Sequence, residues 1–217
     1  MKTALLFGSS GLVGGHLLQE LLTSNNYKKI KLFIRSNLNI NDQKVEIINV
    51  DFKNLDKNRN DINGDDCFFC IGTTNKNTPD KNEYRRVEFN IPVEIANIAK
   101  SNSIKSFIYV SSGYANPKSS GAYLRNKGEV EEELKKLNFD NLKIMRPSFL
   151  LGSRKEQRVG EKIGIVIFKL FSPLFILGLK KMRPIESKVV AKAMVILANM
   201  DSEKTIFEAN EIKDLVN

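Results

Sequence analysis

Short, continuous apolar runs alternate with helical patterns from the first residue of this 217-residue chain. Ala4–Phe7 is wholly apolar and stops at Gly8, and Leu12, Val13, Leu17, Leu18, Leu21 and Leu22 follow at the spacing of one helix face. Ile30–Ile34, Val45–Val50, Cys67–Ile71, Ile104–Val110 and Leu142–Met145 repeat the strand-like run. Tyr84–Lys100 carries Val87, Ile91, Ile95, Ile98 and Ala99 at helical spacing, with Pro92 as a local cost. Tyr123–Leu137 is a charged amphipathic helix, Val189–Ala198 another helix, and Thr205–Phe207 reads as a late edge strand. Asn54–Asp66 reads as a surface loop with a short helix. Strands apolar on both faces, with helices between them, suit a parallel sheet covered on both sides. Right-handed crossovers wind such a sheet into the doubly wound, Rossmann-type α/β arrangement.

The length fits one α/β domain with a sizeable core. Residues 1–150 are expected to form the dinucleotide-binding part, and 151–217 a small C-terminal helical cap within the same structural domain. Ile163–Leu179 is strongly apolar, but Lys169 and Pro173 interrupt it and it falls short of the ~20 residues a bilayer span needs. A helix over the substrate cleft is expected there, not a membrane span. The chain opens directly on a strand pattern, so no leader is expected and a reducing cytoplasm is the expected location. The formal charge of +9 comes from scattered lysines with no basic–aromatic arrangement, which argues against a nucleic-acid partner.

Chemistry enters at Gly8-Ser9-Ser10-Gly11-Leu12-Val13-Gly14, between the first strand and the first helix. Gly8 lets the chain leave the strand in a tight turn, Gly11 lets a diphosphate approach the backbone, and Gly14 lets the helix lie close to the sheet. The free N–H groups and positive end of that helix then face the anion. His16, the single histidine, is expected at the surface. The second strand ends Ile34-Arg35-Ser36 without the carboxylate that holds an NAD ribose. Arg35 can instead grip the 2′-phosphate of NADP, so NADP(H) is the expected cofactor, with NAD as the alternative. Asp51, closing the third strand, is a candidate for adenine contact. Gly72, after the fourth, lets the backbone pass near the cofactor.

Hydride transfer to a carbonyl needs a proton donor at the oxygen. A tyrosine phenol titrates near pH 10, so a lysine one helical turn later is needed to ease its ionisation. Tyr-x-x-x-Lys occurs three times. Tyr27–Lys31 runs into a strand, where residues four apart do not stack, and Tyr114–Lys118 contains Pro117, which breaks helical register. Tyr123–Lys127 opens a helix directly after the fifth strand, whose C-terminal end carries Ser111 and Ser112, either of which could orient the carbonyl. Cys67 and Cys70 lie three apart on a strand and point to opposite faces, so they are expected in the core, sharing neither a disulfide nor a metal.

Taken together, these segments resemble the short-chain dehydrogenase/reductase superfamily, and within it the atypical branch of the Tat-interacting protein oxidoreductases. The likeness runs nearly end to end. It rests on the glycine turn, on Ile71-Gly-Thr-Thr74, on Tyr123-Leu-Arg-Asn-Lys-Gly-Glu-Val-Glu131, on Arg146-Pro-Ser-Phe-Leu-Leu151 and on Arg154-Lys-Glu-Gln-Arg158. The resemblance implies that Ser10, Gly11, Leu12 and Val13 line the pyrophosphate, and that Arg35 and Ser36 meet the 2′-phosphate. Ser36 stands where the family often has a second arginine. The resemblance further implies that Ile71 and Gly72 flank the cofactor, that Tyr123 and Lys127 act as proton donor and ribose-binding helper, and that Leu150 and Arg158 close around the nicotinamide half. The expected function is an NADP(H)-dependent oxidoreductase with no metal, acting on an unidentified small-molecule substrate, with room for a homodimer. A dinucleotide-binding sensor or interaction protein without turnover is the alternative. Epimerisation of a nucleotide-linked substrate ranks lower, because the C-terminal region is short for a large substrate lobe.

Overall fold

The computed structural model of the chain describes residues 1–35, 40–151 and 184–217. Seven strands form one sheet, parallel throughout: β1 (Lys2–Phe7), β2 (Tyr27–Ile34), β3 (Val45–Asn49), β4 (Asp66–Phe69), β5 (Ser106–Val110), β6 (Asn141–Arg146) and β9 (Ile206–Glu208). Their order is β3-β2-β1-β4-β5-β6-β9. The chain winds outward from β1 to β3, then crosses back to lay β4 on the other side of β1. That reversal opens a crevice at the carboxyl ends of β1 and β4, where open α/β sheets receive ligands. A separate two-stranded ribbon pairs β7 (Leu150–Leu151) with β8 (Ile185–Glu186).

Both faces of the sheet are buried, and alternate residues of each strand supply the two core layers. Leu5, Phe7, Phe69, Phe107 and Tyr109 face one side with Ile95, Val130 and Leu134. Leu6, Leu32, Phe68 and Ile108 face the other, with Leu17 and Leu21 of α1 (Leu12–Thr23) and Val190 and Met194 of α5 (Ser187–Ala198). Leu17 and Leu21 are fully enclosed, each stabilising the fold by ~1.5–3 kcal/mol. Cys67 lies in the first layer, whereas Cys70 packs half-buried against the second, and both are free thiols. The two thiols lie on opposite sides of the sheet, although Cys70 stands just past the end of β4 and not on it. The expected late edge strand is β9, and α6 (Ala209–Asp214) follows it. The 54–66 loop contains a 3₁₀ turn at Leu55–Asn58.

The helix expected over Tyr84–Lys100 is not continuous. It comprises α2 (Lys81–Arg85), a π turn at Arg86–Asn90 and α3 (Ile91–Ser101). Asp80 caps its start, accepting a hydrogen bond from the Glu83 N–H at 2.8 Å. Pro92 has no N–H to give the Glu88 carbonyl four residues back, and the backbone widens there, with the Ile91 N–H reaching Arg86 O. The fourth strand also ends earlier than expected, at Phe69, leaving Cys70–Gly72 as a turn over the crevice. The apolar segment Ile163–Leu179, expected to cap the cleft, lies outside the described residues, as do Ser36 and Arg158.

Candidate functional site

The glycine turn meets the geometric demands that made glycine the expected residue. Gly8 has φ +92°, and a Cβ there would come within 2.8 Å of the Cys70 backbone. A Cβ on Gly14 would overlap the Gly8 carbonyl, so α1 can lie this close to the turn only without a side chain at that position. Gly11, the N-cap of α1, has an ordinary extended backbone and is exposed. A side chain there would meet the Gly8 oxygen at 3.2 Å and otherwise stand in the space above the turn. Leu12 and Val13 occupy the first turn of α1, where N–H groups have no intrahelical acceptor, and no acidic residue lies there. Ser10 is exposed, while Ser9 is buried, its hydroxyl without a partner among the described residues. A cradle of amides at a helix start, free of carboxylates, fits an anionic diphosphate.

Beyond the end of β2, Arg35, Asp51, Lys53, Glu83 and Arg86 line an open cavity of about 440 Å³. Asp51 Oδ1 accepts from the Lys53 N–H at 2.9 Å and so shapes the loop after β3. Arg86 is committed to Glu83 through two bonds of 2.6 and 2.7 Å and to the Phe52 carbonyl at 2.8 Å. Those bonds hold the Glu83 carboxyl below its ordinary range, and Lys53 and Arg35 add to the effect. Arg35 and Lys53 are both exposed.

Across the crevice, Tyr123 and Lys127 stand one turn apart on α4 (Ala122–Lys136). Tyr123 is 41% exposed, whereas the Lys127 side chain is 5% exposed. Lys127 Nζ lies 3.1 Å from Glu88 Oε2, donates to the Val110 carbonyl at 3.4 Å and sits 5.0 Å from the centre of the Tyr109 ring. Burial pulls the ammonium toward its neutral form, but Tyr109, Glu88 and Tyr123 outweigh it, and Lys127 holds its proton above the ordinary lysine range. Burial pushes the neighbouring Tyr109 phenol up to about 12. The turn after β4 closes over this pair: the Thr73 N–H donates to Glu88 Oε1, and a Cβ on Gly72 would lie 3.4 Å from the same oxygen. Ile71, half-buried, packs against the first core layer beneath the turn.

The two serines differ. Ser111 is buried and its hydroxyl donates to Glu131 Oε1 at 2.5 Å. Arg146 holds the same carboxylate through Nε at 3.0 Å and Nη2 at 2.5 Å, and reaches Glu208 at 3.2 Å. Ser112 is half-buried, and its hydroxyl reaches the adjacent Gly113 carbonyl at 3.3 Å. Leu150 lies half-buried in β7. The decoy tyrosines serve other ends. Tyr27 is enclosed and donates to Asp66 at 2.6 Å, and burial pushes its phenol up. Tyr114 is an exposed turn residue with φ +65°. His16 is exposed. Among the described residues no three His, Cys, Asp or Glu side chains are grouped to hold a metal, and no helix is long and apolar enough to cross a membrane.

Two residues of this region carried no sequence signal of their role. Glu88 is spaced with Tyr84, Ile91 and Ile95 on the buried face, but nothing in the sequence pairs its carboxylate with Lys127. Glu131 closes a motif without any hint that it accepts a hydrogen bond from Ser111.

A parallel sheet in this order, with an amide-lined glycine turn at its switch point and no acid at the end of β2, defines a dinucleotide-binding protein of the Rossmann class. The chain belongs to the NAD(P)H-binding family, which it matches over residues 8–164. Protein HTATIP2 of Rattus norvegicus is 35% identical over 163 residues, 74% of this chain and 67% of that protein. The mitochondrial protein FMP52 of Debaryomyces hansenii is 32% identical over 201 residues, 91% of this chain and 88% of its own. The oxidoreductase ylbE of Lactococcus lactis shares the fold at a TM-score of 0.68 and 18% identity, over 99% of this chain and 94% of that one.

Proposed function

We propose that the protein is an NADP(H)-dependent oxidoreductase of the short-chain dehydrogenase/reductase type that interconverts a carbonyl and an alcohol, with Tyr123 as acid/base. The juxtaposition that carries this reading is Tyr123 with a buried, charged Lys127, at the same sheet edge as the glycine turn. A bound dinucleotide would be held by the amides of Gly11–Val13, by Arg35 and Asp51 at its adenosine end and by the Gly72 turn, and it supplies the hydride. Tyr123 gives its phenolic proton to the carbonyl oxygen as the carbon is reduced, and recovers one from solvent through its exposed hydroxyl. The Lys127 ammonium stabilises the negative charge left on the phenol oxygen. Ser112, not Ser111, orients the carbonyl, because the Ser111 proton is already committed to Glu131. Arg35 and Lys53 favour NADP by offering cations where an NAD site offers a carboxylate. The chain acts as one unit, with residues 1–150 binding dinucleotide and 151–217 on the substrate side. Its proposed location is the cytoplasm.

The test is a titration of NADPH and NADH fluorescence followed by a carbonyl panel. Expected are a preference for NADPH and turnover that Tyr123→Phe abolishes without loss of dinucleotide affinity. Equal affinity for the two dinucleotides would refute the NADP assignment. A native chain that binds NADPH yet reduces nothing on the panel would favour the sensor reading. Recovery in a mitochondrial fraction would overturn the location.

A further inference from the structure

We infer that Glu88 is a positioning residue for the proton-transfer pair: its carboxylate fixes the Lys127 ammonium and ties it to the Gly72–Thr73 turn. The catalytic meaning of this rests on the oxidoreductase reading; the pairing itself does not. Glu88 is wholly buried, with Oε2 3.1 Å from Lys127 Nζ and Oε1 accepting from the Thr73 N–H. One carboxylate thus spans two elements, and the turn after β4 cannot shift without moving the group that holds Lys127.

The remaining groups around Lys127 show why a carboxylate is needed. Lys127 Nζ lies 5.0 Å from the Tyr109 ring of β5 and donates to the Val110 carbonyl, and Tyr84 of α2, Tyr123 of α4 itself and Cys70 after β4 couple with it electrostatically. Alongside these groups, Glu88 supplies the carboxylate. Enclosed among neutral groups alone, an ammonium loses its proton readily, because burial penalises the charged form. A neutral amine would offer the Tyr123 oxygen no counter-charge. The helix periodicity itself supplies the placement: Glu88 is spaced with Tyr84, Ile91 and Ile95 on the buried face.

The experiment follows Lys127 by ¹³C NMR in protein labelled at the lysine ε-carbon, assigned by its absence in Lys127→Arg, from pH 6 to 11. Native Lys127 is expected to stay protonated across the range. Glu88→Gln keeps the volume and an acceptor for Thr73, and should bring the Lys127 midpoint down into that range, where the native chain shows none. Glu88→Asp, which keeps the charge but withdraws it by one methylene, should fall between the two. It also serves as the readout if the glutamine variant folds poorly. Lys127 titrating alike in all three chains would overturn the proposal, whether or not a substrate has been found. Where turnover is measured, Glu88→Gln should lose kcat as pH rises through the new lysine midpoint, and a profile unchanged from native would equally overturn it. A shifted lysine in a chain that turns over nothing counts against the oxidoreductase reading alone and supports the pairing.

Discussion

Ser111 and Ser112 are neighbours in sequence, and their hydroxyls meet different surroundings. Ser111 donates a hydrogen bond to a buried carboxylate that Arg146 already grips, so its contribution is to hold β5 against α4 and β6. Ser112 has no such commitment. Ser111→Ala should therefore cost stability, ~1–3 kcal/mol in urea unfolding, while kcat/KM stays within a few-fold of native. Ser112→Ala should unfold like the native chain and lose ~100-fold or more in kcat/KM. Equal kinetic losses in the two variants would sink the distinction. The sequence offered both as candidates, because both sit at the carboxyl end of an apolar run. It could not say which, because the choice depends on Glu131, twenty positions away, and on Arg146 across the sheet.

Individual elements were legible to different degrees, for reasons that can be traced. β1 and α1 were readable because each demand on the turn between them falls on a single residue type: positive φ at Gly8, close packing at Gly14, a bare exposed backbone at Gly11. Those demands also predict different failures. Gly14→Ala places a methyl on the Gly8 carbonyl, forcing α1 away from the turn, and should destabilise by ~1–3 kcal/mol as well as weaken NADPH binding. Gly11→Val, with an ordinary extended backbone at that position, should fold with little loss yet abolish NADPH binding, because its branches stand where the anion must lie. Thermal melting beside fluorescence titration separates the two. A Gly11→Val chain that still binds NADPH tightly would remove the phosphate cradle from this site. The Tyr84–Lys100 helix was less legible. Its apolar spacing was right and also puts Glu88 on the buried face with Tyr84 and Ile91, but the widened turn at Pro92 belongs to the backbone and leaves no periodic trace.

At the scale of the whole molecule, the winding order was readable because continuous apolar strands admit few alternatives to a parallel sheet buried on both faces. Deep burial of the tyrosines in and around that sheet was not, although both cysteines were expected in the core, and together these groups set a pH dependence for the fold. Burial pushes the Cys67 thiol well up and Cys70 up to about 12, and pushes the phenols of Tyr84 and Tyr109 up to about 12, with Tyr27 raised too. Unfolded, these groups ionise near about 8.5 for thiols and about 10 for phenols. A group whose folded value is raised contributes stability that is complete below its unfolded value and is lost as pH rises through the folded one. Lys31 and Lys143, whose ammoniums burial pushes down, act in the opposite sense, but in unfolded chains lysines titrate only near about 10.4. Between about pH 8.5 and 10 the thiols therefore dominate, Cys67 at up to about 1.4 kcal/mol per pH unit and the half-buried Cys70 at less. Urea unfolding should weaken by roughly 2–3 kcal/mol over that interval and fall more steeply above it as the phenols join. Cys67→Ala should start less stable at pH 7 and show a shallower decline. A native chain equally stable at pH 7.5 and pH 10 would mean that these groups meet water in the folded state, and the closed double-layered core built around β4 would be wrong.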